Sequence, residues 1–203
     1  MLEDTTGRVV AVCRNAEPGL PKLIVDEVRL IEDWGVEGDY HAGKFVRHPY
    51  LAKKDPTQPN LRQVCIVDAA AFAAMRERNL QIGPGMMGEN ITVEGVAVMQ
   101  LAIGTRLSIS EALVEVTEVR IPCKQLNGIA AGLLKAVSQR RRGEKVYMAG
   151  MMARVLAGGW CTQATRWACW RLLPPRLNDG ASISTDRSRY SRARRYGPFP
   201  GRR

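Results

Sequence analysis

Between residues 8 and 156 the chain is cut into short β-branched and apolar runs, most too short for a stable helix and most bounded by glycine, proline or asparagine. Runs of four to eight such residues read as strands. RVVAVC at 8–13 and LIVDEV at 23–28 are joined by Pro-Gly and Pro turn chemistry and read as a hairpin. QVCIV at 63–67 and ENITV at 89–93 are compact strands. TRLSI at 105–109 and LVEVTEV at 113–119 alternate apolar with polar residues, the pattern of strands with one face buried and one wet. VYMAGMMARVL at 146–156 is a further strand, with a bulge-prone glycine at Gly150. Helical pattern is scarce. Asp68 can cap an alanine-rich helix from 69 to about 79, which GPGMMG at 83–88 breaks, and 129–139 is a second helix. The expected fold class is therefore mainly β, a barrel-like α+β domain with two or three short helices.

Residues 34–60 belong to neither pattern. Too rich in glycine and proline for a helix and too polar for a core strand, they form a long loop, and loops of that length inside a domain usually carry function. At 203 residues the chain can bury a sizeable core. One domain over 1–159 with an appendage at 160–203 is expected. The longest apolar runs are far too short to span a bilayer, and MLEDTT at the start is acidic where a secretory signal would be basic and then apolar, so the expected location is the cytoplasm.

A formal charge of +10 invites a nucleic-acid reading until its location is considered. Residues 1–159 carry 20 Lys and Arg against 18 Asp and Glu, whereas 160–203 carry 10 Arg, no Lys and 2 Asp. The basicity belongs to the tail, and the body shows no stripe of cations interleaved with stacking aromatics. The five cysteines, Cys13, Cys65, Cys123, Cys161 and Cys169, include no C-x-x-C pair, which argues against a disulfide framework or a zinc knuckle.

Cys123 stands apart from the other four. It follows a valine-rich strand in the run EVRIPCKQ at 118–125, where Pro122 biases Ile121 towards extended geometry and ends the strand. The thiol is thereby turned to a surface or cleft. Flanking Arg120 and Lys124 favour a thiolate, although free cysteines as a class are more often buried structural residues.

Four polar clusters lie at strand ends or in glycine-rich loops: GDYHAG at 38–43, NLRQ at 60–63, GENIT at 88–92 and RIPCK at 120–124. In order and spacing over about 35–159 they resemble the MOSC family, named for the C-terminal domain of molybdenum cofactor sulfurase, and in particular its small stand-alone bacterial members of the YiiM type. The resemblance implies a β-barrel-like fold in which Cys123 is catalytic, either a ligand to the molybdenum of a pterin cofactor or a sulfur carrier. It implies reduction of N-hydroxylated compounds with electrons from a donor protein, or persulfide transfer fed by a pyridoxal-phosphate-dependent cysteine desulfurase. Pyridoxal phosphate would then enter only through that partner. A thiolate is a soft donor suited to such a metal, and Arg62, Asn90, Arg120, Lys124 and the glycine loops could hold the cofactor's anionic phosphate.

Local readings stand beside each of these roles. His41 is a proton donor at the site, or only fastens its loop; Asp39 orients His41, or bonds its own turn. Glu89 and Asn90 line the cleft, or Asn90 pins a turn. His48 reads as solvated loop, Met86, Met87, Met148, Met151 and Met152 as packing, and 140–142 as the solvated end of a helix.

The tail departs from the family. Where relatives close with a strand reading V-x-x-G-D-x-V, this chain reads WCTQATRWACW at 160–170, and the rest is rich in Arg, Ser and Pro without period, a composition of disorder. Starting one base early, at the last base of the Gly159 codon, the same codons permit Val-Val-His-Ala-Gly-Asp-Ala-Leu-Gly-Val-Leu. These codons are consistent with a one-nucleotide frameshift near Gly158 and Gly159, in the gene or in its sequencing; if it is real in the cell it exposes a sheet edge and makes the chain a non-functional product. Recognition of nucleic acid or another partner through the Arg-rich tail is the reading from another class, although the near-neutral body argues against nucleic acid.

Overall fold

In the computed structural model the described residues are 6–141, 143–163 and 170–173. Thirteen strands and four short helices are β1 (Arg8–Arg14), β2 (Leu23–Val25), β3 (Glu27–Ile31), β4 (Gly35–Val36), α1 (Pro49–Lys54), β5 (Val64–Asp68), α2 (Ala69–Arg76), β6 (Ile91–Glu94), β7 (Arg106–Ile109), β8 (Ala112–Val119), α3 (Leu126–Ile129), α4 (Leu133–Val137), β9 (Ser138–Arg141), β10 (Glu144–Tyr147), β11 (Met151–Ala157), β12 (Gly159–Thr162) and β13 (Trp170–Leu173). The class is mainly β, of α+β type. An eight-stranded sheet runs β13-β7-β8-β11-β5-β6-β1-β2, a three-stranded sheet β12-β3-β4, and β9 and β10 form a hairpin. The barrel expected from the sequence is not closed among the described residues, since β13 and β2 are the two ends of the large sheet.

Two cores flank that sheet. One joins it to the small sheet, with Val28, Leu30, Val36 and Cys161 packed among Val9, Ile66, Ile91 and Leu107. The other lies beneath the helices, where Phe72, Met75, Leu126, Leu133 and Val137 meet Cys65, Val67, Met148 and Met152. β5 is buried on both faces, with Val64 and Ile66 in the first core and Cys65 and Val67 in the second. That double burial is why its sequence is a continuous apolar run rather than an alternation. β5 and β6 are parallel, so α2 and the segment after it serve as the crossover that parallel neighbours need. Asp68 caps α2 through a hydrogen bond from the Ala70 N–H, 2.9 Å.

Several boundaries differ from the sequence reading for identifiable reasons. The run at 23–28 breaks at Asp26, β2 pairing with β1 and β3 with β4 and β12. The helix expected at 129–139 is two short helices separated at Gly132, whose φ of +84° lies in the left-handed region. Beyond it, Arg140 belongs to β9 rather than to a helix end, and the hairpin turns at Gly143. The strand expected at 146–156 is interrupted at Gly150, where a Cβ would lie 2.4 Å from the Ile66 carbonyl oxygen. The loop at 34–60 holds β4 and α1. In the 160–203 segment the structure describes 160–163 and 170–173: β12 pairs with β3 and seats Cys161 fully buried, and β13 pairs with β7. The remainder of the tail, Cys169 included, lies outside the described residues.

Candidate functional site

The four polar clusters meet. A cleft of about 470 Å³ gathers residues from the segment leaving β1, the loop between β4 and β5, the turn entering β6 and the segment between β8 and α3. Cys123, His41, Arg62, Asn90, Arg120 and Lys124 all line it, and Asp39 lies buried behind His41. Pro122 is buried while Ile121 and Cys123 on either side are exposed, so the proline anchors the segment and leaves the thiol outside. Cys123 Sγ is 3.5 Å from Gln125 Oε1.

Among the described cysteines Cys123 alone is exposed. Burial pushes the thiols of Cys13 and Cys161 up to about 12 and raises that of Cys65, which keeps all three protonated and unreactive at neutral pH.

Asp39 is the hub of the inner wall. Its side chain accepts hydrogen bonds from Lys22 Nζ at 2.7 Å, the His41 N–H at 3.0 Å, the Asn15 N–H at 3.2 Å and Asn90 Nδ2 at 3.1 Å. Burial alone would raise its pKa, but the interactions with His41 and Lys22 outweigh it and hold the carboxyl well below the usual carboxylate range. His41 Nδ1 lies 3.5 Å from Asp39 Oδ1, and the ring meets Tyr40 edge-on. Asn60 Nδ2 fastens the same loop by donating to the His41 and Gly43 carbonyls.

Asn90 likewise lines the cleft and pins its surroundings. Its Oδ1 accepts from the Cys65 N–H and its Nδ2 donates to the Cys13 carbonyl, so one side chain bridges β1 and β5 just before β6 begins. Arg120 donates to the carbonyls of Met87 and Ala149, and Arg62 pairs with Glu118 at 2.5 Å. Lys124 is exposed at the rim. Glu89 does not line the cleft: it is fully buried, with Oε1 accepting from the Gly85 N–H and Thr92 Oγ1 while Oε2 has no partner. Burial raises its pKa.

Two cleft residues had no signal in the sequence, and a third was expected elsewhere. Lys22 is buried and faces Asp39, seventeen positions away, a pairing that only the fold creates. Arg47 stacks its guanidinium 4.6 Å from the Tyr40 ring centroid. His48, expected to be solvated, is half-buried in the wall with Nδ1 buried and unpartnered. Its pKa is lowered by burial first, then by Arg62 and His41. The methionines at 87, 148, 151 and 152 are buried packing residues.

An exposed thiol at the mouth of a cationic cleft, on an open α+β sheet scaffold, defines the class of site. The MOSC domain family model matches residues 40–164, and the chain belongs to that family. The fold is similar to that of the YUAD protein from Bacillus subtilis, with a TM-score of 0.67 and 16% identity, over 86% of this chain and 100% of that one. It is also similar to YiiM from Geobacillus stearothermophilus, with a TM-score of 0.57 and 21% identity, covering 83% of this chain and 75% of that one. For YiiM from Escherichia coli the TM-score is 0.53 and the identity 22%, over 85% and 72%. No curated protein matches the chain. No helix among the described residues is long and apolar enough to cross a membrane.

Proposed function

We propose that this MOSC protein takes a molybdenum-pterin cofactor in the cleft, with Cys123 as its thiolate ligand, and reduces N-hydroxylated compounds. The observation that carries the reading is the pairing of the exposed described cysteine with a cleft lined by Lys22, Arg47, Arg62, Arg120 and Lys124 and by no Asp or Glu. Those residues fit such a group. Among the described residues no cluster of three or more His, Cys, Asp or Glu offers a cage for a bare ion, whereas a metal that arrives inside its own organic ligand needs one soft donor. An anionic phosphate would find Lys124 and Arg47 at the rim and the buried Nδ1 of His48 in the wall.

When bound, the cofactor supplies two-electron reduction of the N–O bond. The chain's own contribution is to hold, shield and protonate. Asp39 engages Nδ1 of His41, leaving Nε2 as the nitrogen that delivers a proton to the departing oxygen, and Tyr40 packs against that ring. A donor protein supplies the electrons.

The exposure of Cys123 also favours a second reading, a sulfurtransferase in which Cys123 carries a persulfide received from a pyridoxal-phosphate-dependent desulfurase. Elemental analysis of the full chain, purified from a host that makes the cofactor and compared with Cys123→Ala, separates the two. Near-stoichiometric molybdenum that the variant lacks supports the first. Folded, metal-free wild type that gains sulfane sulfur on Cys123 from a desulfurase and cysteine refutes the first and supports the second.

A further inference from the structure

We infer that the face around the cleft mouth is a docking surface for a protein that presents a carboxylate-rich patch. The inference rests on the reading above, since it concerns the partner that serves Cys123. Segments 40–62 and 120–127, which build most of the cleft, carry seven Lys and Arg against one acid, Asp55. The remainder of residues 1–159 carries thirteen against seventeen. The cleft lining carries Lys22, Arg47, Arg62, Arg120 and Lys124 and no acid; Lys22 and Arg62 are paired with Asp39 and Glu118, which leaves Arg47, Arg120 and Lys124 without a carboxylate partner in the lining. Lys44, Lys53 and Lys54 in the first segment and Lys124 in the second are exposed.

The apolar groups there point the same way. Helix α1 buries none of its residues, and its Tyr50, 71% exposed, lines the cleft together with Ile121, 59% exposed. Apolar anchors within a rim of like charge have the anatomy of a transient protein interface, in which the charges steer encounter and the apolar groups supply contact. The occupant is a protein rather than a nucleic acid because, among the described residues, Tyr50 is the one exposed aromatic lining the cleft, where strand binding uses a series of stacking rings.

The test uses the full chain and follows the rate at which iodoacetamide alkylates Cys123, read peptide by peptide so that other cysteines do not contribute. Poly-L-glutamate is the acidic probe and a dT20 oligonucleotide the nucleic-acid probe. At low salt poly-L-glutamate is expected to slow alkylation severalfold, with protection lost near physiological ionic strength and above. Lys44→Glu/Lys53→Glu/Lys54→Glu should remove most of that severalfold protection, bringing the alkylation rate back towards that of the probe-free protein, and the neutral Lys53→Gln/Lys54→Gln should remove less of it; Arg29→Glu/Lys145→Glu, outside both segments, should keep it. Thermal unfolding of each variant reports folding. Equal protection in the triple variant, no protection in wild type, or stronger protection by dT20 than by poly-L-glutamate would overturn the proposal. Molybdenum content of the same samples reads the cofactor separately: charge-dependent protection in metal-free protein removes the cofactor and leaves the docking face standing.

Discussion

Replacing Asp39 with asparagine tests the inner wall most directly. The change is nearly isosteric, yet Oδ2 accepts from Lys22, Asn15 and Asn90 while Oδ1 accepts from the His41 N–H. Whichever way an amide turns, its NH2 meets a donor. More costly is Lys22, 4% exposed at its side chain, whose ammonium would lose the carboxylate that compensates it. Breaking one partner of a buried pair costs about 3–5 kcal/mol, and for a domain of this size each kcal/mol moves the midpoint by roughly 2–4 °C. Asp39→Asn should therefore melt roughly 6–20 °C below wild type, followed by circular dichroism, and Lys22→Met/Asp39→Asn should recover much of the loss. The pH dependence fixes the sign. Asp39 titrates lower in the folded than in the unfolded chain, so its contribution is complete above the unfolded carboxylate value of about 3.9 and is lost as pH falls from there through the folded value. The difference between wild type and variant should be constant from pH 5 to 8 and shrink below pH 4. An Asp39→Asn protein within about 1 kcal/mol of wild type at pH 7 would refute the argument that this pair holds the wall together.

Two other outcomes follow from the same physics. Glu89, fully buried with Oε2 unpartnered, titrates higher folded than unfolded, so it costs stability progressively as pH rises above about 4.3; Glu89→Gln should raise the midpoint more at pH 8 than at pH 4, and a pH-independent difference in thermal unfolding would contradict this. Genomic DNA read in the neighbouring frame from Gly159 should encode a Gly-Asp strand with valine at the position of fully buried Cys161, preserving the apolar residue β12 needs there; a frame without that strand eliminates the frameshift.

What could be read from the sequence was whatever a short stretch determines alone. The continuous apolar run of β5, the alternation along β8 and the cap at Asp68 each declare their environment within a few residues. The split at Asp26 does not, because one apolar run feeds two sheets and only tertiary pairing decides where it breaks. Nor does β9, whose polar residues gain strand geometry from the Gly143 turn and its partner β10. The site divides the same way. Cys123 announces itself through Pro122, but Lys22 is an ordinary lysine after a proline until the fold sets it against Asp39, and the role of His48 in the wall depends on α1 and Arg62.

The distribution of satisfied and unsatisfied groups constrains how variants of the cleft should be read. Asp39, Asn60, Asn90 and Arg120, four residues of the polar motifs, direct most of their hydrogen bonds to backbone groups of neighbouring segments. Removing any of them leaves buried N–H or C=O groups without partners, a cost of about 1–3 kcal/mol each, so lost metal or activity in such variants is first a folding effect. The outer groups, Cys123 and Lys124, are exposed and hold up no such framework, and His48 keeps an unpartnered nitrogen in the wall. Variants there can change ligand binding at unchanged stability. A motif spread over 38–124 thus does two jobs: one set of side chains closes four loops around a cleft, and the other is left over for whatever the cleft receives.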